Sequence, residues 1–293
     1  MAKNRKLRLR AFAKANLSLN VTGRRDGLHT LDSVMTTLDC FDTVTVAERD
    51  DEGIFVRFVG AEIGADNTAF KAARAVQRII GGNGWDIEVE KGIPIGGGLG
   101  GSSADGAAVL RALDLLYRLP ERGVDMRAVA LSVGSDVPFM LTGGLARVRG
   151  VGEDLFFMEN KLRLFIVGLM SGSVSTAAAY GKFDALYGDG VYCPTDTEAM
   201  CEKLLAGDSR ALEYCGNALY APAAELQPDI ERNAALLRDR GAIVNMTGSG
   251  GTVLGYFTDI EKFYRCATEL RGERGFRALA PAKTGVLHEW IEK

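Results

Sequence analysis

The segment from Gly96 to Gly101 constrains the fold of this chain more than any other, because five of its six residues are glycine. Before it, apolar and acidic residues alternate over 85–90, which is the period of a strand with one buried face. After it, alanines and leucines over 104–116 form an apolar stripe with helical spacing. The pattern therefore predicts a strand, a glycine loop and a helix.

A loop without side chains can close its backbone N–H groups on an anion, and the helix behind it adds the positive end of its dipole. This geometry is typical of a phosphate site. The alternative is a tight crossover in which Ser102 caps the helix and Asp105 completes the capping arrangement. The number of consecutive glycines favours phosphate binding over a purely structural turn.

Neither of two familiar phosphate loops describes this segment. The spacing Gly96-x-Gly98-x-x-Gly101 satisfies the dinucleotide fingerprint, but the acid in the expected window is Asp114, inside the predicted helix. The Walker pattern fails as well, because serines stand where its Lys-Ser/Thr pair belongs. If the loop binds a triphosphate, the accompanying cation must come from another part of the chain.

Composition excludes several classes of function. A chain of 293 residues with a net charge of −3 fits one large or two medium domains and argues against a general nucleic-acid surface. It has no apolar run of membrane-spanning length, and its five cysteines are odd in number without a C-x-x-C pair. We therefore expect a cytoplasmic protein with reduced cysteines that needs neither a membrane nor nucleic acid.

Acid and base chemistry must rest mainly on carboxylates and lysines. The chain has only two histidines, His29 and His288, and contains no H-E-x-x-H or G-x-S-x-G motif. A Ser-His-Asp hydrolase or a histidine-bound metal enzyme is therefore not expected.

Elsewhere the pattern predicts an opening strand or hairpin at 7–21, strands at 34–38, 42–47 and 54–59, and a helix at 69–80. Val137 precedes a proline, which favours extended backbone, so Asp136 is expected where a helix ends and a strand begins. A second glycine turn, 247–252, is either a plain hairpin loop or, paired with the first, the other wall of the phosphate site.

Three separated segments together resemble the GHMP family of small-molecule kinases: the opening strand with Lys14 and Asn16, the loop at 95–105, and the turn at 247–252. Further motifs at 12–17, 27–31, 134–138 and 173–176 are most similar to the branch whose acceptor carries a cytidyl group. The resemblance covers nearly the full chain.

The resemblance implies a two-layer α/β (α+β) fold of two domains, 1–158 and 159–293, with the active site in the cleft between them. The implied reaction moves the γ-phosphate of ATP to a hydroxyl of a small molecule in non-mevalonate isoprenoid biosynthesis. Phosphoryl transfer needs positioning, charge neutralisation and removal of the hydroxyl proton. Asp136 is the candidate general base, and Lys14 is the cation expected to hold both the base and the attacking oxygen.

The remaining candidate residues divide by the ligand they are expected to contact. Nucleotide-binding candidates are the loop residues Pro94, Gly96, Gly97, Gly98, Leu99, Gly100, Gly101, Ser102 and Ser103, with Asn67 and Lys91 near the adenine by resemblance. Substrate-binding candidates are Asn16, His29, Tyr180, Gly248 and Ser249, of which His29 and Tyr180 match positions near a cytosine. Ser103 or Asp105 is the candidate Mg²⁺ ligand. A monomer or homodimer is expected.

Three positions depart from the pattern of that branch. Leu28 replaces a tyrosine that forms the second side of the cytosine site, Phe12 replaces a proline, and Ala218 stands where an acid is usual. These departures leave the phosphate chemistry intact but keep two alternatives open. One is a related kinase that acts on a sugar, homoserine or a mevalonate derivative, and the other is a nucleotide-binding homologue without activity.

Overall fold

A computed structural model of the chain describes residues 5–82, 84–188 and 190–289. Its strands are β1 (Lys6–Arg25), β2 (Leu28–Arg49), β3 (Ile54–Val59), β4 (Gly84–Glu90), β5 (Leu145–Gly150), β6 (Asp154–Met158), β7 (Phe165–Met170), β8 (Gly216–Asn217), β9 (Ile243–Met246), β10 (Thr252–Phe257), β11 (Arg277–Leu279), β12 (Pro281–Ala282) and β13 (Val286–Glu289). Its helices are α1 (Thr68–Ile80), α2 (Gly101–Tyr117), α3 (Met126–Val133), α4 (Val137–Thr142), α5 (Thr176–Tyr187), α6 (Thr197–Ala206), α7 (Tyr220–Leu226), α8 (Asp229–Arg238) and α9 (Ile260–Leu270). Two 3₁₀ turns cover Leu119–Arg122 and Ser209–Tyr214.

A long antiparallel hairpin of β1 and β2 forms the centre of the larger sheet. Its turn holds Asp26 and Gly27 at φ 52° and 80°, the left-handed geometry that matches the twist of a tight hairpin. The predicted break between strands at 34–38 and 42–47 is wrong, since β2 runs through both. A β-bulge explains the interruption of the pattern, because the pairing with β1 shifts register between Phe12 and Ala13.

The predicted strand, glycine loop and helix are confirmed as β4, residues 91–100 and α2. β3 and β4 lie parallel, and α1 connects them. The apolar face of α2 is buried against the sheet and against α1, within a core that also contains Trp85 and Ile87 of β4. This packing holds the start of α2, and therefore the end of the glycine loop, in a fixed position.

A smaller sheet has the order β11-β7-β10-β9. After it the chain returns to the larger sheet, where β13 pairs with β1 and β12 pairs with β2. The buried cores are also shared between the two parts, since Leu19 and Val21 of β1 pack with residues of the smaller sheet. The two-domain division at 158/159 remains a prediction.

One further local prediction is corrected by the structure. Val137 begins the short helix α4, so Asp136 precedes a helix and not a strand; Pro138 is its second residue, where a missing N–H costs no helical hydrogen bond. Within the described residues, no helix has the length and apolarity that a membrane crossing requires.

Candidate active site

The glycine loop reaches α2 through alternating left-handed residues. Gly96, Gly98 and Gly100 have φ values of 71°, 74° and 73°, which residues with a Cβ rarely adopt. Gly100 is the N-cap of α2 and provides no side-chain cap. The alternative in which Ser102 caps this helix is therefore wrong, and the Ser102 hydroxyl bonds instead to that of Thr68. In the described part of the chain, no side-chain hydrogen bond caps the start of α2, and the N–H groups of its first turn point towards the loop.

The second glycine turn, residues 247–252, is in contact with the glycine loop. The Thr247 hydroxyl donates to the Gly98 carbonyl at 3.2 Å. A Cβ on Gly98 would lie 2.2 Å from the Thr247 carbonyl oxygen, and one on Gly248 would lie 2.7 Å from the Gly98 carbonyl oxygen. These glycines therefore serve a close contact between two backbones, in addition to removing side chains from the cleft.

Lys14 lies where the loop, the second turn and α4 meet. Its backbone N–H donates to the Leu99 carbonyl at 2.9 Å. Its buried ammonium donates to Asn16 Oδ1 at 2.7 Å and lies 3.4 Å from Asp136 Oδ2. The side chain of Asp136 is 29% exposed, whereas that of Lys14 is 4% exposed. The carboxylate is therefore accessible from the cleft, and the ammonium beside it is buried.

Asn16 connects Lys14 to the second glycine turn, because its Oδ1 also accepts from the Gly248 N–H at 2.9 Å. Asn217 holds the same turn from the other side: its Nδ2 donates to the Met246 and Gly248 carbonyls at 2.8 and 2.9 Å. Ala218 lacks the acidic side chain that is usual in the cytidyl branch, but the Asn217 bonds form without it. Sequence reasoning did not assign Asn217 this role, which depends on contacts with residues about 30 positions away.

Lys91, the first residue after β4, forms a buried cluster with two carboxylates. Its ammonium bonds to Asp42 and, at 2.8 Å, to Asp105 Oδ2. Burial and the neighbouring Asp42 charge raise the pKa of Asp105 despite the ammonium. Burial by itself would lower the pKa of Lys91, but the two carboxylates raise it. The sequence carries no local signal for Asp42, which lies 49 residues before its partner.

Aromatic and charged side chains form the other end of the cleft. The His29 and Tyr180 rings stack with centroids 4.4 Å apart and planes 21° apart. His29 Nε2 lies 2.8 Å from Asp184 Oδ1, and Arg24 pairs with the same carboxylate. The Arg24 and His29 contacts hold the pKa of Asp184 below its ordinary value, and burial raises that of Tyr180. Leu28 is 56% exposed beside them.

Asn67 and Ser249 have specific contacts of their own. The Asn67 side chain caps α1 by accepting from the Phe70 N–H at 2.8 Å. The Ser249 hydroxyl lies 2.9 Å from that of Thr176, at the start of α5.

Among the described residues, no three or more His, Cys, Asp or Glu side chains are arranged to hold a metal ion.

One cleft of about 930 Å³ brings together every candidate residue of the sequence analysis. The glycine loop, Asn67 and Lys91, which are the predicted nucleotide-binding residues, line one end of it. Lys14 and Asp136 lie between that end and the pair of His29 and Tyr180. The structure therefore places the candidates in one site, although their individual roles stay predictions.

Comparisons with known proteins agree with this arrangement. Residues 67–144 match the GHMP kinases N terminal domain. The chain is 35% identical to a 4-diphosphocytidyl-2-C-methyl-D-erythritol kinase of Desulfitobacterium hafniense (strain Y51), over 91% of this chain and 92% of that protein. A crystal structure of 4-(cytidine 5'-diphospho)-2C-methyl-D-erythritol kinase is similar with a TM-score of 0.73 and 32% identity, covering 94% and 99% of the two chains. A homoserine kinase from Cytophaga hutchinsonii shares the fold alone, with a TM-score of 0.74 at 17% identity and coverage of 99% and 98%.

Proposed function

This chain belongs to the GHMP kinases, ATP-dependent enzymes that phosphorylate small molecules, and on that premise we propose that its acceptor is 4-diphosphocytidyl-2-C-methyl-D-erythritol. The phosphate goes to a hydroxyl of the methylerythritol part, a step of non-mevalonate isoprenoid biosynthesis. Relatives with that printed name share about a third of their residues with this chain over nearly its whole length. The resemblance of the sequence motifs leads to the same acceptor.

The observation that carries the proposed phosphoryl transfer is the pairing of Lys14 with Asp136, 3.4 Å apart, beside a side-chain-poor loop in the same cleft. In the proposed reaction the acceptor hydroxyl oxygen attacks the γ-phosphorus of ATP. The bond from that phosphorus to the bridging oxygen of the β-phosphate breaks, and ADP leaves. The hydroxyl proton goes to Asp136, and the Lys14 ammonium holds the carboxylate and the attacking oxygen in line.

The nucleotide end of the cleft is proposed to hold the ATP phosphates through main-chain N–H groups. Residues 96–103 supply these groups at the positive end of the α2 dipole. Asn67 and Lys91 are the residues that the resemblance places near the adenine, and Pro94 lines the same cleft. The Asn67 side-chain oxygen already caps α1. Asn67 would therefore contact the base mainly by packing against it and through its backbone.

Mg²⁺ is proposed to enter with ATP, bound mainly to the phosphates, where it neutralises part of their charge. Ser103 has a partly exposed side chain at the cleft and fits as a protein ligand. Asp105 fits less well, because its carboxylate is buried and already bonded to Lys91. We therefore propose Ser103 as the protein ligand of the two candidates.

The acceptor end is proposed to bind the cytosine through His29 and Tyr180. Asp184 holds the His29 ring by its Nε2 atom, which leaves the other ring nitrogen for a hydrogen bond with the base. One face of Tyr180 is covered by His29, so a base stacked on the tyrosine would use the opposite face. Asn16, Gly248 and Ser249 would contact the part of the acceptor nearest Lys14.

We also propose that the protein works on small molecules alone, as a monomer or homodimer, in the cytoplasm. Its net charge of −3 supports the lack of a nucleic-acid partner. Its cysteines form no disulfide among the described residues, which fits a reducing compartment.

The test is a coupled assay of ADP release with the cytidyl acceptor, run beside homoserine, mevalonate and a panel of sugars. The proposal expects turnover with the cytidyl compound to exceed that with every other alcohol. Turnover with another alcohol alone would assign a different acceptor to the same chemistry. No turnover with any alcohol, while ADP still binds, would favour an inactive homologue.

A further inference from the structure

The cluster of Asp42, Lys91 and Asp105 connects the three elements that meet at the glycine loop. Asp42 belongs to β2, Lys91 follows β4 directly, and Asp105 lies on α2 beyond the loop. Both carboxylates bond to the same ammonium. Lys91 thereby joins the residue before the loop to the helix after it, and Asp42 attaches both to the sheet.

The Asp42 side chain also accepts hydrogen bonds from the backbone at the start of the loop. Its Oδ1 accepts from the Gly92 N–H at 2.7 Å and from the Ile93 N–H at 2.8 Å. The Lys91 ammonium lies directly under the start of α2, since a Cβ on Gly101 would be 3.3 Å from it. The cluster therefore supports the loop at its entrance and at its exit.

This support matters because the loop has almost no side chains with which to order itself. Glycine loses more conformational freedom on folding than any other residue, so a run of glycines needs contacts from outside to adopt one shape. The second turn supplies such contacts in the middle of the loop, at Gly98. The charged cluster supplies them at the two ends.

Asp42 cannot contact the nucleotide itself. It is fully buried and is not one of the residues that line the cleft. Any effect of this carboxylate on nucleotide affinity must therefore act through the position of the loop. A substitution of Asp42 therefore tests positioning without removing a ligand contact. A substitution of Lys91 or Asp105 could change both, because these two residues line the cleft.

We propose that Asp42 is a positioning residue for nucleotide binding: through Lys91 and through the Gly92 and Ile93 amides, it holds the glycine loop in the shape that presents its N–H groups to the ATP phosphates. The inference rests on the proposed function, since it requires that this loop binds the nucleotide. It assigns no new contact to the substrate and adds no step to the reaction.

The main experiment compares Asp42→Asn with a matched control, Asp32→Asn. Asp32 lies on the same strand and forms its own ion pair with Arg147, away from the cleft. The probe is ADP without Mg²⁺, titrated by calorimetry, followed by steady-state kinetics with ATP and the acceptor. We expect Asp42→Asn to weaken ADP binding and raise the KM for ATP by about tenfold to a hundredfold. The KM for the acceptor should change less than about twofold, and the control should match the wild type.

Asp105→Asn provides a second variant if Asp42→Asn does not fold. It removes the carboxylate charge that attracts the Lys91 ammonium to α2 and should also weaken ADP binding without Mg²⁺. An effect that appears only with Mg²⁺ would point to a metal ligand and against the positioning role. ADP affinity equal to that of the wild type in the folded variants would overturn the inference but leave the proposed function standing. Failure of the wild-type protein to bind ADP either with or without Mg²⁺ would overturn both.

Discussion

The two ends of the cleft are built from different materials. The nucleotide end consists largely of backbone: a glycine loop and a second glycine turn in contact, supported by buried charges. The acceptor end consists of side chains, with His29 stacked on Tyr180 and held by Asp184. A backbone surface that binds phosphate suits any member of the family, whereas the acceptor end depends on a few side chains. The difference explains why the reaction type is easier to infer than the acceptor.

The largest effect is expected where the two ends meet, at Asp136. Asp136→Asn removes the proposed base but keeps the size of the side chain, so kcat should fall by about 10²- to 10⁴-fold. ADP affinity, measured by calorimetry, should stay near that of the wild type, since the proposal assigns the phosphates to the loop and not to Asp136. Asp32→Asn is again the matched control and should keep its activity. An undiminished kcat would mean that Asp136 has a structural role.

A smaller effect, limited to the nucleotide end, is expected from Gly98→Ala. The left-handed φ of 74° costs a residue with a Cβ about 1–2 kcal/mol, and the methyl group would also approach the Thr247 carbonyl to 2.2 Å. We expect the KM for ATP to rise by about tenfold or more, with a smaller change for the acceptor.

Gly241→Ala separates backbone strain from the clash. Gly241 has a φ of 76° with nothing within 4 Å of the position that a methyl group would take, and it lies after α8, outside the cleft. This variant should lose some stability in thermal unfolding but keep its KM for ATP. If Gly98→Ala and Gly241→Ala change the KM for ATP by the same factor, the close contact between the glycine loop and the second glycine turn is unimportant for nucleotide binding.

The parts of the site that were predictable from sequence are those encoded by neighbouring residues. The strand, glycine loop and helix follow from periodicity over about 30 positions, and the second turn follows from its own glycines. The contacts of Asp42 with Lys91 and of His29 with Asp184 join residues 49 and 155 positions apart. They depend on the register between β2 and β4 and on the packing of α5, which no local pattern contains.

Local rules also failed where two of them competed. The proline after Val137 disfavours a helix for that residue, but a proline in the first turn of a helix is tolerated, and packing of the buried α4 decided the outcome. Alternation alone cannot distinguish a strand end from a bulge at 38–42, because a turn and a bulge interrupt it in the same way.

The smallest effect is expected at the acceptor end, from Leu28→Tyr. Leu28 lines the cleft beside His29, is largely exposed, and stands where the resemblance places a tyrosine. Stacking on a base contributes about 1–3 kcal/mol when it is well formed, and an exposed ring should recover only part of this. We expect the KM for the cytidyl acceptor to fall about two- to fivefold, with the KM for ATP unchanged. Leu28→Ile is the control, because it keeps an aliphatic side chain of the same size. If the tyrosine variant binds cytidine monophosphate no better than the isoleucine variant in a calorimetric titration, residue 28 does not flank the base, and the proposed cytosine contacts are left to His29 and Tyr180.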